Sequence, residues 1–168
     1  MRLGVIFLNN CLLFKVEILP SPNDEVLRAI ANKHGEIADK VFRGLKNTIQ
    51  RAQSYTGYFC VVLYNESTDI IGCANFIQNS KQQSEWFYTD LWVDNNYRRK
   101  GNAKRLVTAG CDYLRGIGAK TLLCTVDEEN TPSVNTQISL GFKEIESQYF
   151  EFFDNTGLLM FSKKLNNG

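Results

Sequence analysis

The run Arg98-Arg99-Lys100-Gly101-Asn102-Ala103 sets three cations and a glycine directly behind the apolar stretch Trp86-Phe87-Tyr88-Thr89-Asp90-Leu91-Trp92-Val93. A strand that stops at a polar turn and restarts as a helix leaves several backbone N–H groups without partners. At the positive end of a helix dipole and among cationic side chains, such groups hold anions, phosphate above all. Gly101 adds a position where the backbone can approach a ligand that a Cβ would obstruct. Five of the 19 Lys and Arg residues lie between Arg98 and Arg105, whereas the whole chain carries a formal net charge of +1. The positive charge is local, which argues against a surface built to grip polyanions, and no nucleic-acid partner is expected.

The other reactive residue types form no such constellation. Cys11, Cys60, Cys73, Cys111 and Cys124 show no CxxC spacing, and His34 is the sole histidine, so neither a metal cluster nor a thiol–imidazole pair is expected. Four of the cysteines lie in apolar runs and read as buried free thiols in a reducing cytoplasm. The opening Met1-Arg2-Leu3-Gly4-Val5-Ile6-Phe7-Leu8 is shaped like the start of an export signal, but Asn9 and Asn10 interrupt it and no small-residue cleavage site follows. Residues 1–11 are left as an extra strand or an N-terminal extension. No run approaches the roughly 18 apolar residues of a membrane span, and no membrane partner is expected. With 168 residues, 43% hydrophobic and 22% charged, the chain suits one soluble domain, residues 1–168.

The elements that must hold the basic turn follow from periodicity. Leu12 to Leu19 alternates as a strand and stops at Pro20-Ser21-Pro22. Asn23 or Asp24 can cap the next helix, and apolar residues from Val26 to Ile49 fall at helical spacing in two segments broken near His34-Gly35. Gly57–Tyr64 and Ile70–Ile77 form a hairpin about Asn65-Glu66-Ser67-Thr68-Asp69, and Glu85–Val93 adds a third antiparallel strand ending at the turn. From Gly101 to Gly116 an apolar stripe of Ala103, Leu106, Val107, Gly110, Cys111 and Leu114 predicts a helix. Ala119–Val126 is a buried strand, so strand, helix and strand make a right-handed parallel crossover. Thr131 and Pro132 open a short helix that stops at Gly141, and Phe142–Phe153 with Gly157–Leu165 close the fold as a hairpin. The class is α+β, a mostly antiparallel mixed sheet with one parallel β-α-β crossover and flanking helices.

In that setting, Arg98 to Ala103 resembles the acyl-CoA-binding motif of the GNAT superfamily, the GCN5-related N-acetyltransferases. Its pattern is Gln or Arg, two residues, Gly, one residue, then Gly or Ala. Asn130 through Leu140-Gly141-Phe142 resembles the family's second conserved block, in which an Asn begins a helix that ends in Leu-Gly-Phe. The order of elements agrees along nearly the whole chain, leaving out about the first ten residues. The resemblance implies the acyl-CoA N-acyltransferase fold, with a sheet that splays between the strands ending at Val93 and near Val126. Acetyl-CoA is implied as cosubstrate, with no metal. Its pantetheine arm would lie along Leu91, Trp92 and Val93, and its pyrophosphate on the N–H groups from Arg98 through Arg99, Lys100, Gly101, Asn102 and Ala103 to Lys104. Asn130 either caps its helix or also bonds the pantetheine, Ser133 either touches the cofactor or lies on the helix surface, and Lys104 and Arg105 either meet phosphate or solvate the helix.

The implied reaction is direct transfer of an acetyl group to a primary amine of a small molecule or peptide. An alkylamine with a reference pKa of about 10.4 is neutral in about one molecule in 2,500 at pH 7, a cost of about 4.6 kcal/mol, whereas the thiol leaving group titrates near 8.5. Removing the ammonium proton is the larger problem. The family's usual acid is a Tyr five residues before the closing Phe; here Gln137 stands there, able to hydrogen-bond a thiolate or a water but not to supply an acidic proton, Tyr149 is either a substitute or a half-buried strand residue, and the acid is unassigned. For the base, strict alternation puts Glu85, Phe87, Thr89, Leu91 and Val93 on one face of the strand and Trp86, Tyr88, Asp90 and Trp92 on the other. Family carboxylates share the parity of Glu85 and Thr89, so the candidates are Glu85, or Asp90 if a bulge turns it toward the substrate. A water relay is a third route. The oxyanion would meet a backbone N–H near Val93. Helices between Asn23 and Gln50, residues 85–90 and the terminal hairpin with Phe150 and Phe153 would shape the acceptor pocket. A second reading is a catalytically impaired CoA-binding sensor or interaction module. A homodimer through strand addition is also open.

Overall fold

A computed structural model describes residues 14–55, 57–146 and 157–165. The N-terminal extension and Tyr149, Phe150 and Phe153 lie outside the described residues. The elements are β1 (Lys15–Leu19), α1 (Asp24–Asn32), α2 (Ala38–Tyr55), β2 (Tyr58–Tyr64), β3 (Ile70–Gln78), β4 (Glu85–Val93), α3 (Asn102–Gly116), β5 (Thr121–Asp127), α4 (Thr131–Ser139), β6 (Lys143–Ile145) and β7 (Leu158–Lys164). The break between α1 and α2 is a short 3-10 turn at Gly35–Ile37. Asn23 caps α1, its side chain accepting the Val26 N–H at 2.9 Å, and Pro132 opens α4 behind the Asn130 cap.

One seven-stranded sheet runs in the order β1-β2-β3-β4-β5-β7-β6. Every described pairing is antiparallel except β4 with β5, which carries the crossover through α3. The terminal hairpin sends β7 inward, between β5 and β6, because β7 is the apolar member while β6 is exposed along its length.

The sheet separates two cores. On one face Phe59, Val61, Ala74, Phe76, Trp86, Tyr88, Leu122 and Cys124 pack under Leu106, Val107, Cys111 and Leu114 of α3. Each of these fully buried aliphatics contributes about 1.5–3 kcal/mol by leaving water. Gly110 allows α3 to sit this close, since a Cβ there would fall 2.1 Å from Phe76 Cζ. On the other face Leu27 and Ile30 of α1 and Leu45 and Ile49 of α2 cover Tyr58, Cys60, Val62 and Cys73. The same alternation that feeds both cores leaves β2 and β3 almost wholly buried. Among the described residues no helix is long and apolar enough to cross a membrane.

Candidate functional site

The end of β4 is where the sheet opens. The ladder between β4 and β5 spans only Glu85–Phe87 against Thr121–Leu123; beyond it, β5 pairs with β7 alone among the described residues. The facing edge of 88–93 thereby has no strand partner among the described residues. Asp94 N–H donates across to the Ile71 carbonyl at 2.9 Å, so the antiparallel alternation turns the Val93 N–H and C=O toward the open edge. Arg98 Nε donates to that carbonyl at 2.9 Å, fastening the basic turn to the strand it follows.

The turn itself is built to present N–H groups. Arg99 and Gly101 both lie in the left-handed region, at φ 58 and φ 77, so the chain coils back on itself before α3 begins. Asn102 is buried and locks the coil: its Nδ2 donates to the Tyr97 carbonyl at 2.9 Å, and its Oδ1 accepts from Arg105 at 2.7 Å. The first helical hydrogen bond is Arg105 N–H to the Gly101 carbonyl at 3.0 Å, and the N–H groups of 99–104 have no acceptor among the described residues. No heavy atom lies within 4 Å of the position a Gly101 Cβ would take. This is an exposed nest of N–H donors at the positive end of a helix, the chemistry that holds a pyrophosphate.

Side chains around the turn divide by use. Arg98 is spent on Val93, Lys100 Nζ folds back onto the Asn96 carbonyl at 3.0 Å, and Arg105 stacks over the Phe14 ring besides holding Asn102. Arg99 and Lys104 are exposed. At the start of α4, Asn130 Oδ1 accepts the Ser133 N–H at 3.2 Å, so its capping role is realised while the residue stays exposed.

Strict alternation along β4 does not survive. Opposite Cys73–Asn75 the strand carries one extra residue, a bulge, and Asp90 sits in it at φ 53. The insertion reverses parity: Leu91 and Val93 join Trp86 and Tyr88 on the α3 face, and Trp92 crosses to the α1/α2 face beside Cys73. The sequence-based assignment of Leu91, Trp92 and Val93 to faces is corrected accordingly, because a two-residue period cannot register an inserted residue. Asp90 swings toward the α1/α2 face, where Asn75 Nδ2 donates to its Oδ2 at 3.0 Å. Asn75 Oδ1 in turn accepts the Tyr58 hydroxyl at 2.7 Å. Thr89 is exposed on this face, and Trp92 lies half-buried against the His34 ring at 5.7 Å between centroids.

Glu85 and Gln137 are placed elsewhere. Glu85 is buried at the closed end of the β4–β5 ladder and accepts from Asn79 Nδ2 at 2.7 Å. Gln137 is buried in α4, and its Oε1 accepts the hydroxyl of Tyr88, which follows the last β4 residue paired with β5. Burial, helped by the neighbouring Cys124, pushes the Tyr88 hydroxyl well above its ordinary range. Glu85, Asp90 and Gln137 are therefore not one cluster; of them, Asp90 alone is exposed. Cys60 and Cys124 are buried free thiols pushed up to about 12, burial being the main cause, and burial also raises Cys73 and Cys111. Protonated thiols of this kind are poor nucleophiles. Among the described residues no group of three or more His, Cys, Asp or Glu is placed to hold a metal ion.

The sequence reading missed Tyr58 and Asn75. A signal existed for Asn75, a lone amide in the apolar run Ile70-Ile71-Gly72-Cys73-Ala74-Asn75-Phe76-Ile77. Nothing in the order of residues announced its pairing with Asp90.

Residues 26–142 match the model of the acetyltransferase (GNAT) family. No curated protein matches in sequence. Among solved structures, the chain superposes on a GNAT-family acetyltransferase from Staphylococcus aureus Mu50 with a TM-score of 0.71, at 14% identity, covering 90% of this chain and 99% of that one. A chimeric spermidine N-acetyltransferase made from Vibrio cholerae SpeG and hSSAT superposes at 0.69, with 19% identity and coverage of 90% and 95%. The PaiA N-acetyltransferase of Thermoplasma acidophilum, solved in complex with coenzyme A, does so at 0.68, with 16% identity and coverage of 89% and 99%. At these identities the likeness to each is one of fold.

Proposed function

The chain belongs to the GNAT acetyltransferase family, and from that premise we propose that it transfers the acetyl group of acetyl-CoA directly to a primary amine of a small molecule or peptide. The observation that carries this reading is the meeting of two features within a short stretch of chain. A nest of free N–H groups at 99–104 fits a pyrophosphate, and an exposed carboxylate, Asp90, projects from a bulge beside the open strand edge. Residues 1–168 act as one acetyltransferase domain, and the cytoplasm is its compartment.

Acetyl-CoA supplies the activated acetyl thioester. The protein's part is to hold and to move a proton. N–H groups from Arg99 to Lys104 take the pyrophosphate, with Lys104 available as a further cation, and Arg98 stabilises the turn from behind. The open edge at Leu91, Trp92 and Val93 receives the pantetheine arm, and Asn130 and Ser133 border it from α4. On the α1/α2 face the acceptor ammonium meets Asp90, which takes its proton and leaves the neutral amine beside the thioester. The neutral nitrogen then attacks the thioester carbonyl carbon, the oxyanion is received by the Val93 N–H, the carbon–sulfur bond breaks to release thiolate, and the nitrogen passes its remaining extra proton to solvent to leave the amide. Glu85, on the closed end of the ladder, stands apart from this path. Gln137 supports Tyr88 behind the cleft, and the thiolate leaves without a dedicated side-chain acid.

Single-turnover assays with acetyl-CoA over a panel of amines test the reading. Amine-dependent thiol release, lost in Asp90→Asn with CoA affinity retained, is the expected result. Tight CoA binding with no amine-dependent release from any acceptor would replace it with a CoA-binding sensor.

A further inference from the structure

We propose that Tyr58 and Asn75 are positioning residues for Asp90, forming a buried relay that aims the carboxylate; the proposal rests on the assignment of Asp90 as base. Asp90 occupies left-handed backbone at φ 53, a conformation that side chains with a Cβ adopt at a cost, so the position must be held by its surroundings. The bulge alone would leave an exposed carboxylate free to rotate. The contact from Asn75 Nδ2 at 3.0 Å fixes Oδ2 and leaves Oδ1 without a partner among the described residues, open to an acceptor.

Asn75 has no packing reason to be an amide. It is 2% exposed and its strand neighbours are apolar, a setting in which an aliphatic side chain avoids the desolvation cost of a polar group. Here both amide atoms are used, and the Asp90 carboxylate, which only accepts, settles which way the amide points: the NH₂ group faces Asp90 and the oxygen faces the Tyr58 hydroxyl at 2.7 Å. The two donations run in one direction, from Tyr58 through Asn75 to the carboxylate, so each dipole reinforces the next. Burial raises the Tyr58 hydroxyl far above its ordinary range, which keeps it a donor throughout the working pH range. The three residues come from β2, β3 and β4, and the register aligns them: Asn75 pairs with Cys60, two residues from Tyr58 and on the same strand face, and with Thr89, next to Asp90.

A double-mutant cycle separates this role from plain support of the fold. Asn75→Leu removes the donor at similar volume, and Tyr58→Phe removes the hydroxyl and keeps the ring. Expected are a roughly 10- to 30-fold fall in kcat for Asn75→Leu and a roughly 3- to 5-fold fall for Tyr58→Phe, with the KM for acetyl-CoA within about 2-fold of the parent. On an Asp90→Asn background each should cost less than about 2-fold, because the relay then has no base to act on. Equal losses on both backgrounds, or a fully active Asn75→Leu, would overturn the relay. If Asn75→Leu does not fold, Tyr58→Phe carries the same test. An Asp90→Asn enzyme with the parent's rate would remove Asp90 as base and the relay with it, while amine-dependent thiol release by the parent reports separately on the acetyltransferase reading.

Discussion

The basic turn at 98–104 and the bulge at Asp90 lie at two points along one stretch of chain, yet they are built by opposite means. The turn is made by one continuous segment whose working groups are backbone N–H donors; its side chains mostly brace it, as Arg98 does on Val93 and Asn102 on Tyr97. At the bulge the working group is a side chain, and the hydrogen bonds that direct it come from separate strands, through Asn75 and Tyr58. Backbone sites tolerate side-chain change and fail when torsions or space are altered. Side-chain sites behave the other way round.

Gly101→Asp tests the first half of that contrast most severely. It forces a Cβ onto φ 77 and places a carboxylate in the N–H nest, so CoA affinity should drop more than about 100-fold by titration calorimetry while circular dichroism stays that of the parent. Retained affinity in a folded variant would remove the turn as the donor site. Asn102→Ala should come next. With the Tyr97 carbonyl unlocked and Arg105 released, CoA binding weakens about 10-fold and the melting temperature falls, consistent with about 1–3 kcal/mol for buried hydrogen bonds lost.

An alkaline titration should distinguish the two regions without mutation. Folding raises Cys60 from an ordinary 9.0 to about 12, and the same holds for Cys124, so the folded state holds those protons more tightly than the unfolded chain does. Their stabilising effect is complete below pH 9 and is lost as pH rises toward 12, each thiol contributing a slope of at most about 1.4 kcal/mol per pH unit. Denaturant midpoints should therefore be unchanged by these groups up to pH 9 and decline above it; a midpoint that rises over that range would contradict the sign. Cys60 shares the α1/α2 core with Tyr58, beneath the relay, whereas the turn holds no cysteine. The smallest effect belongs to Arg99→Ala, whose side chain has no partner in the described structure. It should change CoA affinity less than about 3-fold, and a loss as large as that of Asn102→Ala would mean that the turn depends on side-chain charge more than on its backbone.

How much of this was legible beforehand follows the same division. The boundaries of β4 matched the expected Glu85–Val93, α3 began one residue after the expected Gly101, and α4 opened at the expected Thr131, since caps, apolar stripes and turn residues act over a few neighbours. The basic turn that presents N–H groups at 98–104 was readable for the same reason. The facing of Leu91, Trp92 and Val93 was not, because one inserted residue in β4 reverses every side chain after it. The terminal hairpin was foreseen as a hairpin, but its insertion with β7 against β5 depends on which strand offers the apolar face to a neighbour far away in sequence.

The sequence by itself determined the α+β class and the basic turn that opens α3, because caps, apolar stripes and turn residues act over a few neighbours, whereas the open end of β4 follows from where its ladder with β5 stops. Only the tertiary structure decided that Asp90, and neither Glu85 nor Gln137, is the exposed carboxylate or amide at the open end of the sheet. It also decided that Gln137 is committed to Tyr88 and that Asn75 and Tyr58 stand behind Asp90. Those facts depend on register and on a bulge, which arise when strands pair and both faces of the sheet compete for apolar cover. No local pattern contains them.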